Sequence, residues 1–125
     1  MAVAQDKSRL TRKTRPGPDR SRVLTLRKKL GVPQRIFARM MSISERSLAK
    51  FEKGQPLSDA TQRQLTETTR LHEALAKVMQ PKAIGRWFQE PNPAFDGLKP
   101  LEVIERGQID LLWAMIYDLE SGAVS

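Results

Sequence analysis

Glu45, Arg46, Lys50 and Lys53 stand on one side of the stretch 45–53, and Leu48 and Phe51 stand on the other. With Leu48 and Phe51 turned inward at i, i+3, a helix here presents a polar, basic outer face. Those side chains suit the edges of base pairs. Arginine or lysine donates to guanine O6 and N7, and a carboxylate accepts from cytosine N4. Glu45 is the acidic member, so it either reads cytosine N4 or stays away from phosphates. The competing interpretation of the same residues is a helical hairpin with a solvated charged face.

Other residues that could do chemistry are sparse. The close carboxylate pairs of the C-terminal half are Glu102 with Glu105 and Asp118 with Glu120. No base, nucleophile and pocket come together in sequence, and there is no Gly-rich phosphate loop. His72 is the single histidine and there is no cysteine. A lone histidine of this kind is expected to be a surface or interface side chain. The expectation is a non-enzyme without metal, cofactor or small-molecule substrate, the carboxylates being solvated helix charges.

The elements that carry the basic face can be read from their ends. Pro33 suits the first position of a helix running to Met41. Ser42-Ile43-Ser44 is the turn, and Ser44 can cap the next helix, Glu45 to Lys53. Ser42 with Glu45 also matches a capping box, which would shift that start by two residues. Gly54 supplies a left-handed stop. Ala38, Met41, Ile43, Leu48 and Phe51 meet under the turn, and small Ala38 lets the helices cross closely. A preceding helix, Ser21 to Leu30, contributes Val23, Leu26 and Leu30 and closes at Gly31.

Charge follows the same division. The chain of 125 residues carries a net charge of +8. Up to Leu57 there are 15 Lys and Arg against 4 Asp and Glu; beyond it, 7 against 10. A basic front half is the electrostatic footprint of nucleic-acid binding. Residues 1–19 form a basic arm broken by Pro16-Gly17-Pro18, whose Lys7, Arg9, Arg12, Lys13 and Arg15 suit phosphates or a minor groove, the equal alternative being a disordered solubilising tail. The absence of an apolar signal core or membrane-length run makes a cytoplasmic protein the expectation.

After the hinge Gln55-Pro56-Leu57, Ser58 can cap a long helix from Asp59 to Met79, striped by Leu65, Thr68, Leu71, Leu75 and Val78. Pro81 opens a short helix facing inward with Ile84, Trp87 and Phe88. Residues 90–100 form a rigid, non-helical connector anchored by Phe95 and Leu98. Pro100 begins another short helix with Leu101, Val103 and Ile104, broken at Gly107. The last helix, Gln108 to Glu120, has a seam of Ile109, Leu112, Ile116 and Leu119. It also carries Leu111, Trp113, Met115 and Tyr117 on other faces. An all-round apolar helix is either central in a core or covered by a partner. Exposed Trp and Tyr are typical of interface anchors, and a homodimer is the plainest way to cover them.

Two resemblances follow. LRKKLGVPQRIFARMMSISERSLAKFEKG resembles the Xre/phage-repressor helix-turn-helix family: Leu26-Arg27, Leu30-Gly31, Gln34, Ala38, the small-Ile-Ser turn, Leu48 and the Phe51 to Gly54 close. It implies an all-α fold with a DNA-binding domain over 20–57. Gln34 would contact the DNA backbone and Glu45, Arg46 and Lys50 would read bases, with Ser44, Ser47 and Lys53 completing the set. It also implies a partly buried ion pair, Arg27 with Glu52. The run Trp87…Pro91-Asn92-Pro93-Ala94-Phe95…Gly97…Pro100-Leu101-Glu102…Gly107 is similar to the toxin-binding domain of Xre/ParS-type antitoxins, over roughly residues 60–122. It implies a toxin-binding or dimerising domain at 58–125. The partner would be a RES-domain toxin that consumes NAD or uses it to ADP-ribosylate a target, blocked by occlusion of its active site. Trp113, Ile116, Tyr117, Glu120 and Ser121 are the expected toxin contacts. Operator DNA and a second copy of the chain are the other expected partners. A plain Xre-family regulator with a C-terminal dimerisation or sensing domain is the alternative.

Overall fold

In the computed structural model, residues 18–122 are described. All regular structure among them is helical. The expected basic arm lies outside them except for its last two residues. These belong to the first helix, α1 (Pro18–Leu30), which starts three residues earlier than the Pro-Gly-Pro run suggested. Pro18 opens the helix, where proline's missing N–H costs nothing, and Asp19 follows in the first turn. Gly31, at φ +65°, ends it, its N–H reaching Arg27 O at 2.9 Å.

Helix α2 (Gln34–Met41) begins one residue later than expected, with Pro33 extended as its cap residue. Ser42 is left-handed at φ 60° and closes α2, so it is unavailable for the alternative capping box. Ser44 takes that role: its Oγ accepts from the Ser47 N–H at 3.0 Å and starts α3 (Glu45–Glu52). The Ile43 N–H bonds to Ala38 O at 3.0 Å, and Ala38, Met41, Leu48 and Phe51 are buried beneath this turn.

The helix α4 (Asp59–Leu75), capped by Ser58, is shorter than expected. The chain turns over 76–79, which removes Val78 from the inner stripe and leaves Leu65, Thr68, Leu71 and Leu75. His72 is a correction: it is buried, not a surface side chain. A 3₁₀ turn (Pro81–Ala83) leads into the single-turn α5 (Ile84–Trp87). The expected non-helical connector contains one further 3₁₀ turn, Pro93–Phe95, capped by the Asn92 side chain accepting from the Ala94 N–H at 2.9 Å. Next come α6 (Pro100–Glu105) and α7 (Ile109–Ser121).

One apolar core runs through both halves, from Val23 and Phe37 to Leu101 and Ile116. Two contacts lock them together. Gly85 lies so close to the Leu30 carbonyl that a Cβ there would collide with the backbone. Arg39 on α2 makes a two-pronged ion pair with Glu105 at the end of α6, both bonds at 2.8 Å. Glu105 is thus held below the usual carboxylate range by the Arg39 hydrogen bonds. Glu102 has a local task as well, its carboxylate accepting the Lys99 N–H at 2.8 Å to start α6.

The ion pair implied by the resemblance is present and more elaborate than expected. Arg27 donates to both Glu52 oxygens at 2.6 and 3.0 Å, and Gln34 Nε2 adds a third bond at 2.7 Å. Arg20 Nε reaches the Glu52 carbonyl at 2.7 Å. Glu52 therefore ties α1, α2 and α3 into one unit. Glu52→Ala would strand Arg27 and free Gln34, and the expected loss is about 2–3 kcal/mol of folding stability. It is placed below the fully buried case because the Arg27 side chain keeps 28% of its exposure. Urea unfolding measures it, and an unchanged midpoint would dismiss the pair as a stabilising tie.

Candidate functional site

Two outward faces are left once the core is assembled. The first is the outer side of α3. Glu45, Arg46, Lys50 and Lys53 are exposed there, and Ser44 lies beside them. Ser47 is half-buried, and its Oγ accepts from Ser44 Oγ at 3.1 Å. Gln34 is half-buried with its amide on Glu52, so its side chain braces the scaffold before it reaches anything outside. The free side chains of this face are thus Glu45, Arg46 and Lys50 on a single short helix fixed at both ends, with Lys53 at its C-cap.

The second face is the outer side of α7. Leu111 is 48% exposed, Tyr117 71% and Leu119 41%, the large apolar side chains the fold leaves uncovered among the described residues. Glu120 and Ser121 are exposed beside them. Leu111, Met115, Asp118 and Leu119 form, with Ala94 and Phe95, the walls of an open groove of about 440 Å³. Sequence reading missed Leu119 as a surface residue by assigning it to the inner seam. The seam ends at Ile116, because residues 117–121 are all exposed and nothing packs over the last turn.

Two of the residues expected at this face have other tasks. Ile116 is 1% exposed and belongs to the core, as the i+4 successor of Leu112. Trp113 is half-buried, and its Nε1 donates to Glu67 Oε2 at 3.2 Å, tying α7 to α4. Tyr117, Glu120 and Ser121 remain as accessible candidates. Among the described residues no group of three or more His, Cys, Asp or Glu is placed to hold a metal ion. No helix among them is long and apolar enough to cross a membrane.

His72 shows what burial does to a titratable group. Its Nε2 is buried without a hydrogen-bond partner. Desolvation, and then the nearby Lys29 charge, push its pKa below the ordinary histidine value, against a smaller opposing pull from Glu73. The unfolded chain therefore binds a proton more readily than the folded one, and stability rises with pH. The His72 contribution is complete above the ordinary histidine range, near pH 6.5, and is lost as pH falls through the lowered folded value. Thermal unfolding between pH 8 and 5 should show a fall that His72→Leu flattens. Parallel curves for the two proteins would remove His72 from the acid sensitivity.

Comparison with known proteins bears on the second face. Residues 74–114 match the family model of the antitoxin Xre/MbcA/ParS C-terminal toxin-binding domain. The matched segment runs from the end of α4 into the first half of α7, so Leu111 falls within it and Tyr117 to Ser121 beyond it. The fold is similar to that of a chain in the crystal structure of the M. tuberculosis MbcT–MbcA toxin–antitoxin complex. The TM-score is 0.69 at 23% identity, over 85% of this chain and 96% of that one. No curated protein matches the sequence significantly.

Proposed function

We propose that this chain, an Xre/ParS-type antitoxin by its toxin-binding segment and its fold, neutralises a RES-domain toxin through α7 and binds its own operator through α3. The observation that carries the first half is the uncovered apolar face of α7, with Leu111 inside the matched toxin-binding domain and Tyr117 and Leu119 just past its end. Large apolar side chains rimmed by Asp118 and Glu120 are what a protein partner with an apolar, basic-edged surface would cover. Occlusion of the toxin's NAD site needs no chemistry from the antitoxin, and a residue projecting as far as Tyr117 suits it. The RES identity of the partner rests on the PNPAF-x-G-x-x-P-L-E run and its resemblance.

The DNA-binding half rests on a different observation, the fixed short helix whose outward side is cationic. Arg46 and Lys50 would read base edges. Two copies would set the two half-sites one helical turn apart. Expected outcomes separate the two activities. Arg46→Ala and Lys50→Ala should each weaken operator binding by about 1–3 kcal/mol and leave toxin inhibition intact. Operator affinity should also fall steeply with salt as counterions are released. Co-expression with a RES-domain toxin, followed by co-purification and an NAD-consumption assay, tests the other half. Purification of the antitoxin alone, with NAD turnover undiminished, would favour a plain regulator. Unchanged operator affinity in both variants would remove α3 from the DNA contact.

A further inference from the structure

The furrow between α1 and α4 is used by neither face. At one end it is walled by Ser21, Thr25 and Lys29 of α1 against His72 and Glu73 of α4, a cleft of about 210 Å³. It continues past Lys29 and His72 to Lys82 on the 3₁₀ turn Pro81–Ala83, widening to about 530 Å³. The wider end falls within the ordinary range of small-molecule sites, about 300–1,000 Å³.

Three observations point to a ligand. The first is charge. Arg22, Lys29 and Lys82 face the furrow with Glu73 the single carboxylate on its walls. Arg22 is engaged, by Asp19 at 3.8 Å and by Thr66 Oγ1 at 3.0 Å. Neither lysine is in an ion pair among the described residues. The second is hydroxyls: Ser21 and Thr25 line the narrow end and Thr69 joins them, though its Oγ1 is spent on Leu65 O at 2.7 Å. The third is His72 itself, 7% exposed, lining both ends, its Nε2 buried and without a partner. A buried polar atom without a hydrogen bond is costly, and its retention asks for an explanation.

We propose that this furrow is a binding site for the phosphate group of a small phosphomonoester, held by Lys29 and Lys82 with a donated hydrogen bond from Thr25, against the wall formed by His72. Lysine acts here as a point charge for phosphate, and the hydroxyl supplies a directed donor. Glu73 lines both ends of the furrow, so the bound anion is held by the lysines against one opposing carboxylate. The site spans α1, α4 and the 3₁₀ turn beside Gly85, so its occupant bridges the DNA-binding half and the start of the toxin-binding segment. The proposal is independent of the toxin and operator assignments, because no residue of either face lines the furrow.

The single histidine makes the test clean. The full chain is titrated with inorganic phosphate, with a nucleoside monophosphate and with a non-operator duplex, at constant ionic strength set by chloride. The His72 ring protons are followed by NMR. The expected result is a saturable shift with phosphate, saturation at lower concentration with the monophosphate, and a rise in the His72 pKa on binding. That rise comes from the added anion set against Arg22, Lys29 and Lys82, with Glu73 unchanged. Lys29→Gln should raise the half-saturation concentration at least tenfold, and the rest of its NMR spectrum reports whether the fold is kept. Should Lys29→Gln unfold, Lys82→Gln at the exposed end provides the same reading. A linear shift matched by chloride, or saturation unaffected in the folded variant, would overturn the proposal. Saturation with the duplex but with neither small phosphate would overturn it as well, by assigning the furrow to DNA backbone.

Discussion

Gly85→Ala should cost this protein more folding stability than any other single-methyl addition, of order 3–5 kcal/mol. The reason is packing, not backbone freedom. Gly85 is buried in an ordinary helical conformation, and a Cβ built on it runs into the Leu30 carbonyl, with the Leu30 carbonyl carbon and Val32 Cγ1 each at 3.1 Å. The obstacle is the backbone at the end of α1, which cannot rotate aside as a side chain would. Either α5 lifts off α1 or α1 loses its last turn, and both open the core where the two halves meet. Gly97→Ala is the matched control. Gly97 has φ +85° and nothing within 4 Å, so alanine there meets strain alone, about 1 kcal/mol. Urea unfolding of both variants gives the comparison. Equal losses would mean that the Gly85 contact relaxes freely, and that the halves are not held at that point.

The helix-turn-helix was legible because its signals are local. A serine that caps, a glycine that stops and apolar residues one turn apart act within a few residues, so Ser44, Leu48 and Phe51 were placed from spacing alone. The same locality explains the errors. Pro18 reads as a breaker in the Pro-Gly-Pro run, yet a proline that opens a helix looks identical in sequence. His72 sits on the α4 stripe that periodicity drew beside it, and what buries it is α1, an element far away in sequence. Leu119 continues the i+3 rhythm of Ile116, but no neighbour reaches the last turn of α7. Arg39 and Glu105 are 66 residues apart, and neither carries a mark of the other. Periodicity tells which side of a helix is apolar. It does not tell how far along the helix the cover extends, and which residues of α7 stay exposed is decided by that second fact.

That distinction sets up the other large effect. On the proposed function, Leu111→Asp with Leu119→Asp should abolish toxin neutralisation while the protein stays folded and keeps any operator binding. Both side chains are more than 40% exposed, so aspartate meets water in the free protein and the core is untouched. In the complex the same carboxylates would be buried opposite apolar partner atoms without compensation. Anchors of this kind are worth about 2–4 kcal/mol each, so the pair should weaken toxin binding by at least a hundredfold. Ile116→Asp on the same helix is the contrast. At 1% exposure it places a charge in the core, and the expected outcome is unfolding and loss of both activities together. Circular dichroism, operator binding and NAD turnover with added toxin separate the cases. If the double variant is folded and still blocks the toxin, the contact lies elsewhere, and the groove between Phe95 and Leu119 is only a surface.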